Sequence, residues 1–179
     1  LDPSGRMVAV GVLGPANPEA NGVRVLDLET GAERALDTHP QGGDRCEEPG
    51  SGTEGLAVPL WLADGRLVTD GDAGLRLWDP NLGGSRLLRP CREVHPSDGI
   101  MLVATPDSRT IVRLKPVHRV GETSTLLAFD LVSGEEREIT SHGNRVATVA
   151  LDPTGTVLVT ADGDGLVRVG PLAGGEPHL

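Results

Sequence analysis

The chain has 179 residues, and Gly (25) and Pro (14) together fill more than one position in five. Neither residue suits a helix interior, so this density excludes a helical bundle and predicts many short strands joined by frequent turns. The formal charge of -10, from 26 acidic and 16 basic residues, disfavours binding to nucleic-acid phosphates. No stretch approaches the roughly 18 to 20 apolar residues of a membrane-spanning helix.

Four segments of one pattern recur along the chain, each with apolar residues at its first and third positions. Each is predicted to be a strand, and the segments are residues 23–27, 75–79, 126–130 and 167–171. A Gly lies four residues beyond the end of each segment, as a hairpin turn with positive φ requires. These glycines are Gly31, Gly83, Gly134 and Gly175.

Each repeated segment is preceded by a second apolar run, which is predicted to be another strand, at residues 7–12, 67–69, 111–114 and 157–160. Turns rich in Pro and Gly come before these runs, at residues 2–5, 63–65, 106–108 and 152–155. Before three of the turns a further strand is predicted, at residues 56–62, 100–104 and 146–151. A shorter and more polar outer strand follows three of the segments, at residues 33–36, 85–88 and 136–139.

The unit is therefore a small four-stranded antiparallel sheet, repeated at intervals of 52, 51 and 41 residues. Such a sheet has two apolar faces and needs neighbouring copies to cover them. We predict an all-β fold, a partial β-propeller of about three and a half four-stranded antiparallel blades. It forms a single domain over residues 1–179, with blades at approximately 1–38, 56–90, 99–140 and 146–179. The first blade lacks its inner strand and the last lacks most of its outer strand, so we expect a piece of a longer protein.

The segment Leu75-Arg-Leu-Trp-Asp79 resembles the strand that names the WD-repeat β-propellers, and Asp152-Pro-Thr-Gly155 resembles the turn of that family. In the family a His lies 11 residues before the turn Pro, and His95 and His142 have this spacing. The resemblance implies a hydrogen-bond network of His, Asp, Ser or Thr and Trp that clamps each blade. Each blade keeps only part of it, and the candidates are His95, His142, Thr160, Asp164, Asp72 and Trp78.

The ending Val169-Gly-Pro171 is also similar to propeller segments of large bacterial signalling proteins, some of which carry kinase domains. This similarity adds an expectation of a bacterial signalling context to the fold prediction.

The sequence contains no recognisable catalytic motif, and we expect no cofactor and no enzyme activity. The turn Asp162-Gly-Asp164 lacks the further oxygen ligands of a calcium loop. Two Cys are too few for a disulfide framework, which favours a reducing, cytoplasmic setting with free thiols. Two alternatives stay open: a disulfide between Cys46 and Cys91, and a zinc site formed by His39, Cys46, Cys91 and His95.

Three insertions, at residues 13–22, 41–55 and 116–124, are predicted to be loops at the rims, where repeat proteins bind their partners. We expect a non-catalytic interaction module whose partner is a protein or another domain of the same chain, and neither nucleic acid nor membrane. The alternative is a propeller enzyme or sensor with a small-molecule site in a central channel, although the Trp of quinoprotein-like repeats is absent. The candidate contact residues are Arg45, Glu47, Glu48, Arg92, Glu93, His118 and Arg119.

Overall fold

A computed structural model describes residues 1–12, 22–36, 57–71, 74–79, 81, 83–90, 101–115, 125–139, 146–175 and 178. These residues form fourteen β-strands, arranged in four antiparallel sheets. Within the same ranges, no helix has the length and hydropathy needed to cross a bilayer. The chain divides into two compact units, Leu1–Pro96 and Ser97–Leu179.

Unit 1 contains two sheets whose strands pair in chain order. Sheet I consists of β1 (Met7–Val12), β2 (Gly22–Asp27) and β3 (Glu33–Leu36). Sheet II consists of β4 (Ala57–Trp61), β5 (Leu67–Gly71), β6 (Leu75–Asp79) and β7 (Gly84–Arg89).

Unit 2 also contains two such sheets. Sheet III consists of β8 (Leu102–Ala104), β9 (Thr110–Lys115), β10 (Thr125–Asp130) and β11 (Glu136–Ile139). Sheet IV consists of β12 (Val146–Leu151), β13 (Val157–Asp162) and β14 (Val167–Pro171). An isolated bridge between Val169 and His178 lies beside β14, where the other sheets have their outer strand.

The strands lie where the apolar pattern predicts them, with ends that differ by at most two residues. Burial alternates along β13, where Leu158 and Thr160 are buried on one face and the residues between them are only partly buried. The outer strands β3, β7 and β11 are mostly exposed, in agreement with their polar sequences. The predicted four-strand meander is therefore confirmed in each sheet, as far as its strands are described.

The turns repeat as regularly as the strands. The first turn of each sheet, which precedes β1, β5, β9 or β13, is closed by a backbone hydrogen bond such as Gly5 N to Asp2 O (3.0 Å) or Gly155 N to Asp152 O (2.9 Å). The residue that donates this hydrogen bond has positive φ in all four sheets, including Ser108 with φ 57°. A side chain at this φ is strained, so Ser108 departs from the glycine pattern of the other three sheets.

The second turn is the same in sheets I, II and III and different in sheet IV. Gly31, Gly83 and Gly134 have φ between 71° and 75°, and each donates its N–H to the Asp carbonyl four residues back. In sheet IV, Gly174 donates instead to the carbonyl of Pro171, three residues back, at 3.1 Å. Gly175 has the predicted positive φ (137°), as does Gly174 (105°), but it is Gly174 that makes the turn hydrogen bond. Pro171 replaces the Asp whose carboxylate holds the longer turn in sheets I and III.

Each unit has its own hydrophobic core between its two sheets. In unit 1 the core contains Val23, Val25, Leu36, Ala57, Leu67 and Trp78. In unit 2 it contains Val112, Leu126, Ala128, Ile139, Val146, Val149, Leu158 and Leu172. Full burial of an aliphatic side chain contributes about 1.5 to 3 kcal/mol, so packing of sheet on sheet is the main stabilising interaction in each unit.

Candidate functional site

In sheets I and III the two ends of the sheet differ in the kind of connection they carry. In sheets II and IV the end opposite the first turn also carries a tight turn, closed by Gly74 N to Gly71 O (2.8 Å) and by Gly165 N to Asp162 O (3.1 Å). We call the turn end the end at which both tight turns lie, as with Asp2–Gly5 and Asp27–Gly31 in sheet I. Pairing of Met7 with Asp27 places these two turns side by side. The opposite end, called the loop end, is where the strands that flank the predicted insertions begin or finish.

An arginine and an aspartate link the two turns at the turn end of sheets I and III. Arg6 donates to Asp27 Oδ2 from Nε (3.0 Å) and Nη2 (2.7 Å), and Arg109 Nε donates to Asp130 Oδ2 (2.9 Å). The second carboxylate oxygen of each Asp accepts two backbone N–H groups of its own turn, at 2.8 to 3.1 Å. Each of these carboxylates therefore holds a hairpin turn and ties it to the neighbouring turn.

These contacts lower the pKa of both carboxyl groups. The Arg6 guanidinium and the turn amides stabilise the charged form of Asp27 and lower its pKa to about 2. The Ser133 amide, followed by Arg109, lowers the pKa of Asp130 to about 2. Both side chains are ionised at neutral pH and are occupied with structural hydrogen bonds.

Asp152 has the same function in the first turn of sheet IV. Its Oδ1 accepts the N–H groups of Thr156 (2.8 Å) and Val157 (2.7 Å), and its Oδ2 accepts the Thr154 hydroxyl. The Thr154 hydroxyl and the Val157 amide lower the pKa of Asp152 to about 2. Asp2 holds the corresponding turn of sheet I with Ser4 and Met7.

The loop end is where the three predicted insertions attach. In sheet I, Val12 pairs with Gly22 and Val23 pairs with Leu36, so β1, β2 and β3 all meet the insertions at that end. In sheet III, Lys115 pairs with Thr125, and Ile139 pairs with Leu126. The insertion between sheets I and II follows Leu36 and precedes Ala57, which pairs with Gly71 at the loop end of sheet II.

A buried ion pair lies at the loop end of sheet IV. Asp162 Oδ2 accepts Arg168 Nη1 at 2.7 Å, and the two side chains are 4% and 16% exposed. Asp162 Oδ1 accepts the N–H groups of Asp164 (3.0 Å) and Leu166 (2.9 Å). Arg168 and these amides lower the pKa of Asp162. Its Oδ1 closes this turn and its Oδ2 binds Arg168, which leaves the Asp162-Gly-Asp164 segment poorly suited to hold calcium.

Asp164, the predicted clamping residue of this turn, is exposed. The sequence did not indicate that the neighbouring Asp162 is the buried carboxylate. Both Asp residues lie in one turn, and only the strand register determines which of them is buried. Thr160, the other described candidate of sheet IV, is 1% exposed and lies on the core face of β13. Their predicted partner His142 lies outside the described residues, so the clamp itself stays a prediction.

Trp78 makes a buried hydrogen bond within sheet II. Its indole Nε1 donates to Thr69 Oγ1 at 2.8 Å, and the two residues are 4% and 1% exposed. Thr69 was not among the sequence candidates. The signal was present in the sequence, because Leu67-Val-Thr69 corresponds to Leu158-Val-Thr160 of the last repeat.

The other candidates lie outside the described residues. This holds for the clamp positions His95 and Asp72, and for the thiols and histidine of the disulfide and zinc alternatives, Cys46, Cys91 and His39. It also holds for every candidate contact residue: Arg45, Glu47, Glu48, Arg92, Glu93, His118 and Arg119. Within the described ranges, no group of three or more His, Cys, Asp or Glu side chains is placed to hold a metal ion.

Comparison with known proteins identifies the fold. No family model matches the sequence, and no curated protein matches it. Among solved structures, the chain is similar to TolB from Acinetobacter baumannii, with a TM-score of 0.67 and 14% sequence identity. The match covers 98% of this chain and 41% of that chain, so the chain spans about two fifths of the length of this TolB.

At this identity the similarity shows the fold alone. The chain has an all-β fold of the β-propeller type, and its described sheets of three, four, four and three strands correspond to about three and a half four-stranded blades. The predicted fold class is confirmed. Membership of the WD-repeat family is not supported by a family match and stays a prediction from the sequence motifs.

Proposed function

We propose that the chain is a non-catalytic interaction module of a larger protein, which presents its inserted loops to a protein partner or to another domain of the same chain. The proposal rests on one observation. The described strands that flank all three insertions meet them at the loop end of their sheets, opposite the first turn of each sheet.

The division between the two ends supports this function. At the turn end, carboxylates such as Asp27, Asp130 and Asp152 are occupied with hydrogen bonds to their own turns. That end therefore has a fixed backbone with short connections. The loop end carries connections that vary in length from one sheet to the next on a frame of paired strands, which is a common arrangement for binding surfaces.

The experiment compares charge reversal at the two ends. A Glu47→Lys/Glu48→Lys variant changes the longest insertion, and Glu29→Lys/Glu135→Lys is the matched control at the turn end, where both side chains are exposed. The full-length protein and both variants are used as bait for the same partner. We expect the loop variant to recover about tenfold less partner, since a few contact residues dominate most interfaces.

The control variant is expected to recover the partner within about twofold of the unmodified protein, which corresponds to less than ~0.5 kcal/mol. Equal recovery by all three proteins would remove the longest insertion from the interface. Loss of recovery with the turn-end variant alone would move the binding surface to the opposite end of the sheets.

A further inference from the structure

Two tight turns of the chain, at residues 62–66 in sheet II and 162–166 in sheet IV, have the same backbone hydrogen bonds. In each, the first residue donates its N–H to the carbonyl of the fifth, at 2.8 and 3.0 Å. The fourth residue donates to the carbonyl of the first, at 3.0 and 3.1 Å. The third and fourth residues are Asp and Gly in both turns, and the Gly has φ of 86° in one and 83° in the other. Asp64 and Asp164 therefore occupy the same position in matching turns.

An Asp-Gly pair is chemically reactive, because the glycine has no side chain that hinders approach to its amide nitrogen. This nitrogen attacks Cγ of the aspartate, so that an N–Cγ bond forms, a water molecule leaves and a cyclic succinimide remains. Water then opens the ring at one of its two carbonyl groups. Opening at Cγ restores aspartate. Opening at the original backbone carbonyl breaks the N–C bond there and gives isoaspartate, whose chain runs through the former side chain.

The carboxylate of Asp64 is held by Arg66. The Nε atom of Arg66 donates to Asp64 Oδ2 at 2.8 Å, and its Nη2 lies 2.6 Å from the same oxygen. The backbone N–H of Arg66 donates to Oδ1 at 3.1 Å. These contacts must break before Cγ can turn towards the amide nitrogen of Gly65, so they oppose succinimide formation.

The carboxylate of Asp164 has no such restraint. The residue that corresponds to Arg66 is Leu166, which is 47% exposed and has no charged group. Its N–H donates to Asp162 Oδ1 at 2.9 Å and not to Asp164. Within the described ranges, the exposed side chain of Asp164 has no hydrogen bond or ion pair. Its Cγ is therefore free to approach the nitrogen of Gly165.

The other Asp-Gly pair of this turn, Asp162-Gly163, is protected. Asp162 is buried, its Oδ2 is bound by Arg168 and its Oδ1 accepts the N–H groups of two turn residues. A further pair, Asp98-Gly99, lies outside the described residues. Among the described pairs, Asp164-Gly165 thus combines exposure with an unrestrained carboxylate.

We propose that Asp164-Gly165 is a site of isoaspartate formation in the folded protein, and hence a substrate site for an enzyme that methylates isoaspartyl groups. Such an enzyme transfers the methyl group of S-adenosylmethionine from sulfur to the free α-carboxylate of the isoaspartate. The added backbone methylene lies between the N–H groups of Asp164 and Leu166, which both donate to Asp162 Oδ1. The modification therefore loosens the turn that places Asp162 beside Arg168. This site does not depend on the function proposed for the inserted loops.

The test compares the two matching turns in one molecule. The folded full-length protein is incubated at neutral pH and physiological temperature, digested, and its isoaspartyl peptides are identified by mass spectrometry. Incorporation of labelled methyl groups by an isoaspartyl methyltransferase confirms each site. We expect isoaspartate to accumulate at residue 164 about two- to fivefold faster than at residue 64, the factor expected for release from a partly exposed ion pair.

Exchange of one side chain between the turns provides matched variants. Leu166→Arg supplies the partner that Asp164 lacks, and should slow conversion at residue 164 to about the rate at residue 64. Arg66→Leu should accelerate conversion at residue 64 by a similar factor. In concentrated urea, where the folded contacts are absent, residues 64 and 164 should be converted at the same rate.

Three results would overturn the proposal. The first is conversion at residue 64 that equals or exceeds conversion at residue 164 in the folded, unmodified protein, or no isoaspartate at residue 164. The second is an unchanged rate at residue 164 in folded Leu166→Arg. The third is the same ratio of rates in urea as in the folded protein, because local sequence would then explain it. If a variant does not fold, the two sites of the unmodified protein, folded and in urea, still decide the question.

Discussion

Arg6 and Asp27 are joined by two hydrogen bonds to a single carboxylate oxygen, and the two residues are 21 positions apart in the sequence. Arg109 and Asp130 have the same separation and also form an Arg–Asp pair in sheet III. The repeat thus preserves an interaction as well as a strand pattern. In both sheets the carboxylate also holds its own hairpin turn, so one side chain fixes two connections.

The first prediction concerns acid stability. Asp27, Asp130 and Asp152 have folded-state pKa values of about 2, below the ordinary value of 3.8. Between these pH values the unfolded chain binds more protons than the folded chain, so their contribution is present above about pH 4 and lost as pH falls towards 2. Urea denaturation at several pH values should show the free energy of unfolding decreasing over this range.

A triple variant, Asp27→Asn/Asp130→Asn/Asp152→Asn, tests the assignment of this acid dependence. It cannot take up protons at these positions, so its stability should be lower at neutral pH and should change less between pH 4 and pH 2. If the free energy of unfolding of this variant changed with pH as steeply as that of the unmodified chain, other carboxylates would be responsible for the acid dependence.

The second prediction concerns the two tryptophans, Trp61 and Trp78, which both lie in unit 1. Trp78→Phe removes the buried hydrogen bond to Thr69 and should lower the free energy of unfolding by about 1 to 3 kcal/mol. Trp61→Phe is the matched control, since Trp61 Nε1 is buried without a hydrogen-bond partner among the described residues. Its effect should be smaller by about 1 kcal/mol or more, because the replacement removes an unpaired donor.

Urea denaturation followed by circular dichroism measures both variants. A Thr69→Val/Trp78→Phe double variant should be less destabilised than the sum of the two single changes, as expected for partners in one hydrogen bond. Equal effects of Trp78→Phe and Trp61→Phe would contradict the structural importance of the contact between Trp78 and Thr69.

The third prediction separates backbone strain from packing at two equivalent glycines. Gly5 and Gly155 have φ of 73° and 71°, but a Cβ at Gly155 would lie 2.6 Å from Pro106 Cδ. A Cβ at Gly5 meets no described atom within 4 Å. Gly5→Ala should destabilise by about 1 kcal/mol through strain alone, and Gly155→Ala by about 1 to 2 kcal/mol more.

Thermal and urea denaturation measure the difference in the free energy of unfolding between Gly5→Ala and Gly155→Ala. It should become smaller when Pro106→Ala removes the Cδ atom nearest to position 155, while Thr105 Cβ and Cγ2, each 3.2 Å from that Cβ, still crowd it. Destabilisation by Gly155→Ala that does not exceed that by Gly5→Ala would show that the first turns of sheets III and IV are not in tight contact.

The fourth prediction concerns the acidic turn of sheet IV. Asp162→Asn should lower the urea midpoint, because it weakens the ion pair with Arg168 and leaves that guanidinium without a charged partner in a mostly buried position. Asp164→Asn in the same turn should have little effect on the urea midpoint, since Asp164 is exposed. A larger decrease of the urea midpoint with Asp164→Asn than with Asp162→Asn would support the blade clamp of Asp164 with His142 that the WD-repeat resemblance implies.

The sequence alone was sufficient to predict the strands and most of the turns. Alternating apolar residues define a strand by themselves, and a Gly at a fixed distance from a strand end identifies a turn with positive φ, as at Gly31 and Gly134. These are local properties of the backbone and of neighbouring side chains. For this reason the repeat, the four sheets and the all-β fold could be derived without any structural information.

Only the tertiary structure decided which polar groups meet. The choice between Asp162 and Asp164, the hydrogen bond from Trp78 to Thr69 and the pairing of Arg6 with Asp27 all depend on strand register, which brings distant residues within 3 Å. The crowding of Gly155 by Pro106 depends in turn on how one sheet packs against another. Distances across strands and between sheets are set by the packing of the whole unit, so local sequence patterns could not supply them.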